Sequence, residues 1–190
     1  MVPDRTGSVR GLSRRSFHRI AFTDWGPAVS DLPVLCVHGL TRNGRDFDHL
    51  GTALASKGRR VICPDLPGRG QSERLKDSSD YVLPQYCSDM TALIAALGAV
   101  EIDWVGTSLG GLIGIVLAAL PGNPIRRMVI NDIGPYLPWA GLLVRQESWR
   151  CPAGERPVRV SRSGRPVASV AWSPATAGAK RTQRLCGVCY

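Results

Sequence analysis

Histidine is scarce in this chain and stops early: the three imidazoles stand at His18, His38 and His49, with none in the residues that follow. Chemistry that draws on an imidazole late in the sequence finds none here. Long apolar runs are also missing. The longest, Leu109 to Leu120, is too short to cross a bilayer, so no membrane association is expected. Near the N-terminus Arg5, Arg10, Arg14, Arg15 and Arg19 stand among serines, faintly like a transit peptide. No continuous apolar core accompanies them, which excludes a secretory signal and leaves a cytoplasmic protein as the expectation. Acids nearly vanish from residues 145–190, which hold 9 Lys/Arg against 2 Asp/Glu, whereas residues 1–144 hold 15 against 13. Of the formal charge of +9, +7 therefore belongs to the tail. No basic stripe interleaved with aromatics is present, so no nucleic acid is expected as a partner. Cys186-Gly187-Val188-Cys189 lacks both a second pair and a nearby histidine, which argues against zinc or redox chemistry. Cys36, Cys63 and Cys87 read as small buried hydrophobes, and neither a disulfide framework nor a metal site is expected.

What is present is organised around Ile102 to Leu120. A short apolar run, Ile102 to Val105, reads as a buried strand, and a longer one from Leu109 reads as a packed helix. Between them lies Gly106-Thr107-Ser108-Leu109-Gly110, a G-x-S-x-G nucleophile elbow in strand–turn–helix context. Such a turn throws a serine hydroxyl outward on a sharp bend. Side chains two residues either side would collide there, and Gly106 and Gly110 remove them. Gly111 lets the helix pack closely on the sheet. A dinucleotide-binding turn would need G-x-G-x-x-G and a later acid, and neither is found.

At 190 residues the chain is long enough for one domain. Ser16 to Phe22 suggests an early strand at a sheet edge, and Asp24 to Pro33 reads as a loop. Leu35-Cys36-Val37 reads as a fully buried strand ending in His38-Gly39-Leu40. A helix over Phe47 to Ala55, capped by Asn43 or Asp46, precedes a strand at Arg60 to Cys63 and a turn at Pro64 to Gly70. Residues 71–80 are polar and loop-like; Leu83 to Leu97 is a helix stopped by Gly98. A further strand, Arg127 to Ile130, runs into Asn131-Asp132-Ile133-Gly134-Pro135. Strands alternating with helices at this pitch imply an α/β fold with a mostly parallel sheet flanked by helices. Ligand sites in such sheets lie at the carboxyl ends of the strands, where His38, Asp65, Ser108 and Asp132 all fall.

Taken together, His38-Gly39, Asp65-Leu66-Pro67-Gly68-Arg69-Gly70-Gln71-Ser72 and Gly106-Thr107-Ser108-Leu109-Gly110-Gly111 resemble the α/β-hydrolase superfamily. In order and spacing they match its third, fourth and fifth strands, and Asn131 to Pro135 resembles the end of the sixth. The resemblance covers residues 17–138 and implies a hydrolase acting on an ester or related carbonyl of a small molecule, without a cofactor. It makes Ser108 the nucleophile and the backbone N–H groups of Leu109 and Leu40 the oxyanion donors. His38 and Gly39 then shape the oxyanion loop, and Asp65 supports its own turn.

That resemblance also implies a triad in the order Ser, acid, His, and the histidine after Ser108 is missing. Asp132 is a candidate acid, against a purely structural role at a strand end. The expected layout is an N-terminal extension over residues 1–16, the hydrolase-like part over 17–138, and an irregular basic tail over 139–190, leaving the fold incomplete at its C-terminus. From about Ser148 neither a period of 2.0 nor one of 3.6 persists, and residues after roughly 145 read as a truncated or frameshifted extension. A sheet ending at the sixth strand would present a bare edge. The rival to an active hydrolase is a catalytically inactive remnant, or an interaction module using the basic tail.

Overall fold

The computed structural model describes residues 1–133 and the strand at 169–172. Its strands are β1 (Arg5–Leu12), β2 (Phe17–Trp25), β3 (Val34–Val37), β4 (Val61–Pro64), β5 (Ile102–Thr107), β6 (Ile125–Asn131) and β7 (Ser169–Trp172). Three helices join them: α1 (Asp48–Ala55), α2 (Leu83–Leu97) and α3 (Leu109–Ala119). The sheet runs in the order β1-β2-β4-β3-β5-β6-β7. Strands β4, β3, β5 and β6 are parallel, while β2 runs antiparallel to both its neighbours and β7 antiparallel to β6. This is the α/β-hydrolase architecture expected from the motifs, with a mixed, mostly parallel sheet.

The central strands are short because both their faces are covered. On β3, Leu35 and Val37 join the larger core with Tyr86, Met90 and Leu93 of α2 and Ile113 of α3, while Val34 and Cys36 face the smaller core with Trp25, Phe47 and Val61. A strand buried on both faces reads as an unbroken apolar run, which is why β3 and β4 are visible in the sequence, while β5 alternates between buried and half-buried residues. Helix α2 occupies the span its spacing predicts, and Gly98 closes it in the left-handed region at φ +66°. Asn43 caps the 3-10 turn Gly44–Phe47, not α1 itself, by accepting the Arg45 N–H.

Three expectations need correction. Residues 5–12, set aside as an extension, form β1, hydrogen-bonded along its whole length to β2. Arg5, Thr6, Ser8 and Arg10 carry no apolar alternation, so pairing alone defines that strand. The strand expected at a sheet edge is interior, lying between β1 and β4, and it runs on to a buried Trp25. Within the stretch expected to be an irregular tail, residues 169–172 pair along β6, so that edge is not bare. The remainder of the tail, including the proposed change of reading frame, lies outside the described residues.

Two buried imidazoles tie the layers together. His18 Nε2 on β2 lies 3.0 Å from Asp89 Oδ1 on α2. His38 Nδ1 donates to the Gly39 carbonyl at 2.6 Å, and its Nε2 accepts the Leu66 N–H at 2.9 Å. Both ring nitrogens of His38 are thus engaged in the neutral Nδ1–H form. Burial lowers the His38 pKa, a tendency the Gly39 carbonyl and Asp65 partly oppose.

Two predictions follow from this packing. A Cβ on Gly110 would overlap the Val37 carbonyl, while Gly58 at φ +75° has open space around it. In urea unfolding, Gly58→Ala should cost about 1 kcal/mol from left-handed strain alone. Gly110→Ala should cost about 3 kcal/mol or more, because two backbones must part. The second prediction concerns pH. Since folding depresses the His38 pKa, its contribution is complete above the ordinary imidazole value of 6.5. As pH falls through and below that value the unfolded chain takes the proton first, and stability declines until the folded imidazole also titrates. The urea midpoint of the native chain should therefore drop more steeply from neutral pH to below pH 6 than that of His38→Asn.

Candidate active site

Ser108 stands between β5 and α3 in a conformation that L-residues rarely adopt, φ +50° and ψ −109°. Its neighbours hold it there. The Ser108 N–H donates to the Asn131 carbonyl of β6 at 2.9 Å, and the Ser108 carbonyl accepts from Leu112 N–H at 3.0 Å. The helix begins at the next residue. A Cβ on Gly106 would lie 2.5 Å from the Gly110 carbonyl oxygen, and one on Gly111 would lie 2.6 Å from Ile133 Cγ2. Trp104 on β5 fastens the first turn of α3 by donating its indole N–H to the Gly110 carbonyl at 3.1 Å. The sequence reading expected an outward hydroxyl, yet Ser108 is only 9% exposed. The loop after β3 accounts for part of that shielding: a Cβ on Gly39 would be 3.5 Å from Ser108 Cβ.

The structure therefore brings the motifs after β3 and β5 against each other. Leu109 follows Ser108 directly and is the first residue of α3, so its N–H has no carbonyl one turn back. Leu40 follows Gly39 on the opposite side. The Gly39 carbonyl accepts from His38 Nδ1 and from Arg42 N–H, the latter at 3.1 Å. Because a trans peptide is planar, fixing that carbonyl also fixes the direction of the Leu40 N–H.

The turn after β4 braces the loop from outside. Asp65 accepts the Gly44 N–H through Oδ1 and the Gln71 N–H through Oδ2, each at 2.7 Å. Gly70, at φ +51°, leaves the space that carboxylate occupies. Arg69 donates from Nε to the Leu40 carbonyl at 3.0 Å, and from one terminal nitrogen to the Pro67 carbonyl and the Tyr86 hydroxyl. Its guanidinium carbon also lies 5.6 Å from the ring centres of Tyr81 and Tyr86. Burial raises the Tyr86 pKa, with Arg69 pulling it the other way. Sequence reasoning placed Arg69 in a turn and missed these contacts; the glycines on either side of it were the available signal.

Asp132 sits just past the end of β6 at φ +58°, exposed and without an ion pair among the described residues. The histidines are otherwise committed: His38 has both nitrogens engaged, His18 is buried against Asp89, and His49 is exposed on α1. No group of three or more His, Cys, Asp or Glu placed to hold a metal occurs among the described residues. A cavity of about 430 Å³ lies over β1 and β2, lined by Thr6, Ser8, Arg19, Thr23, Asp65 and Gln71 among others; Ser108 is not part of its wall. Among the described residues no helix is long and apolar enough to cross a membrane.

Comparison with known proteins agrees with this fold. The family model for the alpha/beta hydrolase fold matches residues 33–149, ending close to where the sequence periodicity is lost. A 3-hydroxybutyrate-oligomer hydrolase from Cupriavidus necator is 50% identical over 133 residues, covering 70% of this chain and 45% of that protein. An sn-1-specific diacylglycerol lipase from Mus musculus is 32% identical over 103 residues, covering 54% of this chain and 33% of the lipase. The crystal structure of an alpha/beta hydrolase from Novosphingobium aromaticivorans superposes with a TM-score of 0.66 at 38% identity, covering 77% of this chain and 50% of that one. The chain thus spans about half the length of these relatives, or less. Fold, turn order and family match coincide, and the chain belongs to the alpha/beta hydrolase family.

Proposed function

We propose that this chain carries the nucleophile and the oxyanion donors of a serine hydrolase. The observation that carries the reading is Ser108 at φ +50°, poised between the start of α3 and the Gly39 loop. Ser108 Oγ attacks an ester carbonyl, and the N–H groups of Leu109 and Leu40 receive the developing oxyanion. The carbonyl–oxygen bond to the alcohol then breaks, the serine proton leaves with the alcohol, and water releases the acyl group from Ser108. Asp132 is the candidate acid for orienting a base. The name of the Cupriavidus relative points to short oligomers of hydroxy acids as the substrate class. Buried free thiols at Cys36 and Cys63 suit a reducing compartment, which favours the cytoplasm.

A second reading, a chain that keeps the fold without turnover, is favoured by one observation: every histidine precedes Ser108. Serine without a neighbouring base is a weak nucleophile. In triads stripped of a member, the oxyanion hole and binding still leave roughly 10³–10⁴-fold catalysis over water. The test is hydrolysis of p-nitrophenyl butyrate and of the 3-hydroxybutyrate dimer by the purified chain. Catalysis of that kind survives in Ser108→Ala as well, so a reacting Ser108 should make the native chain exceed Ser108→Ala by at least about 10-fold. Equal rates would establish the inactive reading.

A further inference from the structure

We infer that Arg69 is a positioning residue for the oxyanion loop, acting on the direction of the Leu40 N–H through the carbonyls around it. This inference rests on the serine-hydrolase reading above. Leu40 lies between two peptide planes. The plane on its amino side is fixed by His38 Nδ1 and Arg42 N–H, both on the Gly39 carbonyl. The plane on its carboxyl side is fixed by Arg69 Nε on the Leu40 carbonyl. The Leu40 N–H shares the plane of the Gly39 carbonyl, and Arg69 steadies that plane from the far side by limiting rotation about the Leu40 Cα.

Arg69 is well built to hold its side of the loop. Gly68 at φ +76° and Gly70 at φ +51° bend the chain so sharply that the arginine folds back over its own turn. The Pro67 carbonyl and the Tyr86 hydroxyl take one terminal nitrogen at 2.7 and 2.9 Å, leaving Nε for Leu40. Tyr81 and Tyr86 add their ring faces. Tyr86 is fully buried on α2, and the Tyr81 hydroxyl accepts the Leu75 N–H at 2.9 Å. The arginine is therefore anchored to the core at one end and to the loop at the other. No carboxylate forms a salt bridge with it among the described residues; two carbonyls, the Tyr86 hydroxyl and the two ring faces meet its charge.

A fluorophosphonate probe reads this role directly. On reaction the Ser108 Oγ–phosphorus bond forms, the phosphorus–fluorine bond breaks, and the serine proton leaves with fluoride. The phosphoryl oxygen occupies the place of an oxyanion. In Arg69→Met the maximal labelling rate should fall about 10- to 100-fold, less than or similar to the loss of a whole oxyanion donor, with the half-saturating probe concentration unchanged. Amide exchange should quicken at Arg42, whose N–H bonds the Gly39 carbonyl, and stay unchanged at Trp104 in β5. Tyr86→Phe removes only the hydroxyl that anchors Arg69 and should slow labelling several-fold; it decides the matter should Arg69→Met fail to fold. A native chain that labels faster than Ser108→Ala, beside an Arg69→Met or Tyr86→Phe chain that labels just as fast, would overturn the positioning role alone. A native chain that labels no faster than Ser108→Ala would overturn the serine reading and this role with it.

Discussion

The constraint on which this structure turns is the absence of a side chain at Gly106 and Gly110, where α3 meets the strands beneath it. Gly110 lies so close to the Val37 carbonyl that a single Cβ would overlap it, and Gly106 faces the Gly110 carbonyl from β5. Only with those positions bare does the helix begin immediately after β5. Only then is Ser108 forced into the left-handed region, with the first amide of α3 beside it. Gly114 repeats the theme one turn on, where the Trp104 indole fills the space a side chain would need. The strain at Ser108 is held in place by bonds from three elements: β6 through Asn131, α3 through Leu112, and β5 through Trp104.

A second set of contacts makes the facing loop as fixed as the elbow. His38, Asp65 and Arg69 each bond a backbone group of a neighbouring turn, so the segments after β3 and β4 behave as one unit. These bonds lie at least partly out of water, where each is electrostatically stronger and where a missing partner is costly. Removing His38 would strand the buried Leu66 N–H, a loss of about 1–3 kcal/mol. At the opposite end of the sheet Asp24 joins Arg5 to Arg60, and Asp103 joins Arg59 to Arg126. Those links join side chain to side chain, whereas the braces near Ser108 run from side chains to backbone groups.

Legibility in the sequence followed the same division. Strands β3 and β4 were readable because burial on both faces leaves unbroken apolar runs, β5 because its buried residues run into the elbow motif, and α2 because its spacing and Gly98 agree. Strand β1 was not: it consists largely of polar residues and glycine, and owes its form to pairing with β2. The interior position of β2 depends on β4, about 40 residues further along, and no local pattern announces it. Strand β7 pairs with β6 across a long separation, which no local pattern announces. In the site, Ser108, its glycines and the His38-Gly39 turn formed a motif because their roles are local. Arg69 escaped notice because the carbonyl it binds belongs to Leu40, 29 residues earlier.

Family membership and the arrangement around Ser108 are compatible with a chain that spans about half of its relatives or less, because the turn at Ser108, the loop after β3 and their braces all lie before residue 134. The central claim is geometric: one tetrahedral centre on Ser108 places its oxygen before the N–H groups of both Leu40 and Leu109. The most direct measurement is a crystal structure of the phosphonylated chain. The account predicts phosphorus bonded to Ser108 Oγ and the phosphoryl oxygen about 2.7–3.1 Å from both amide nitrogens. Phosphorus on another residue, or a phosphoryl oxygen turned away from both amides, would contradict it.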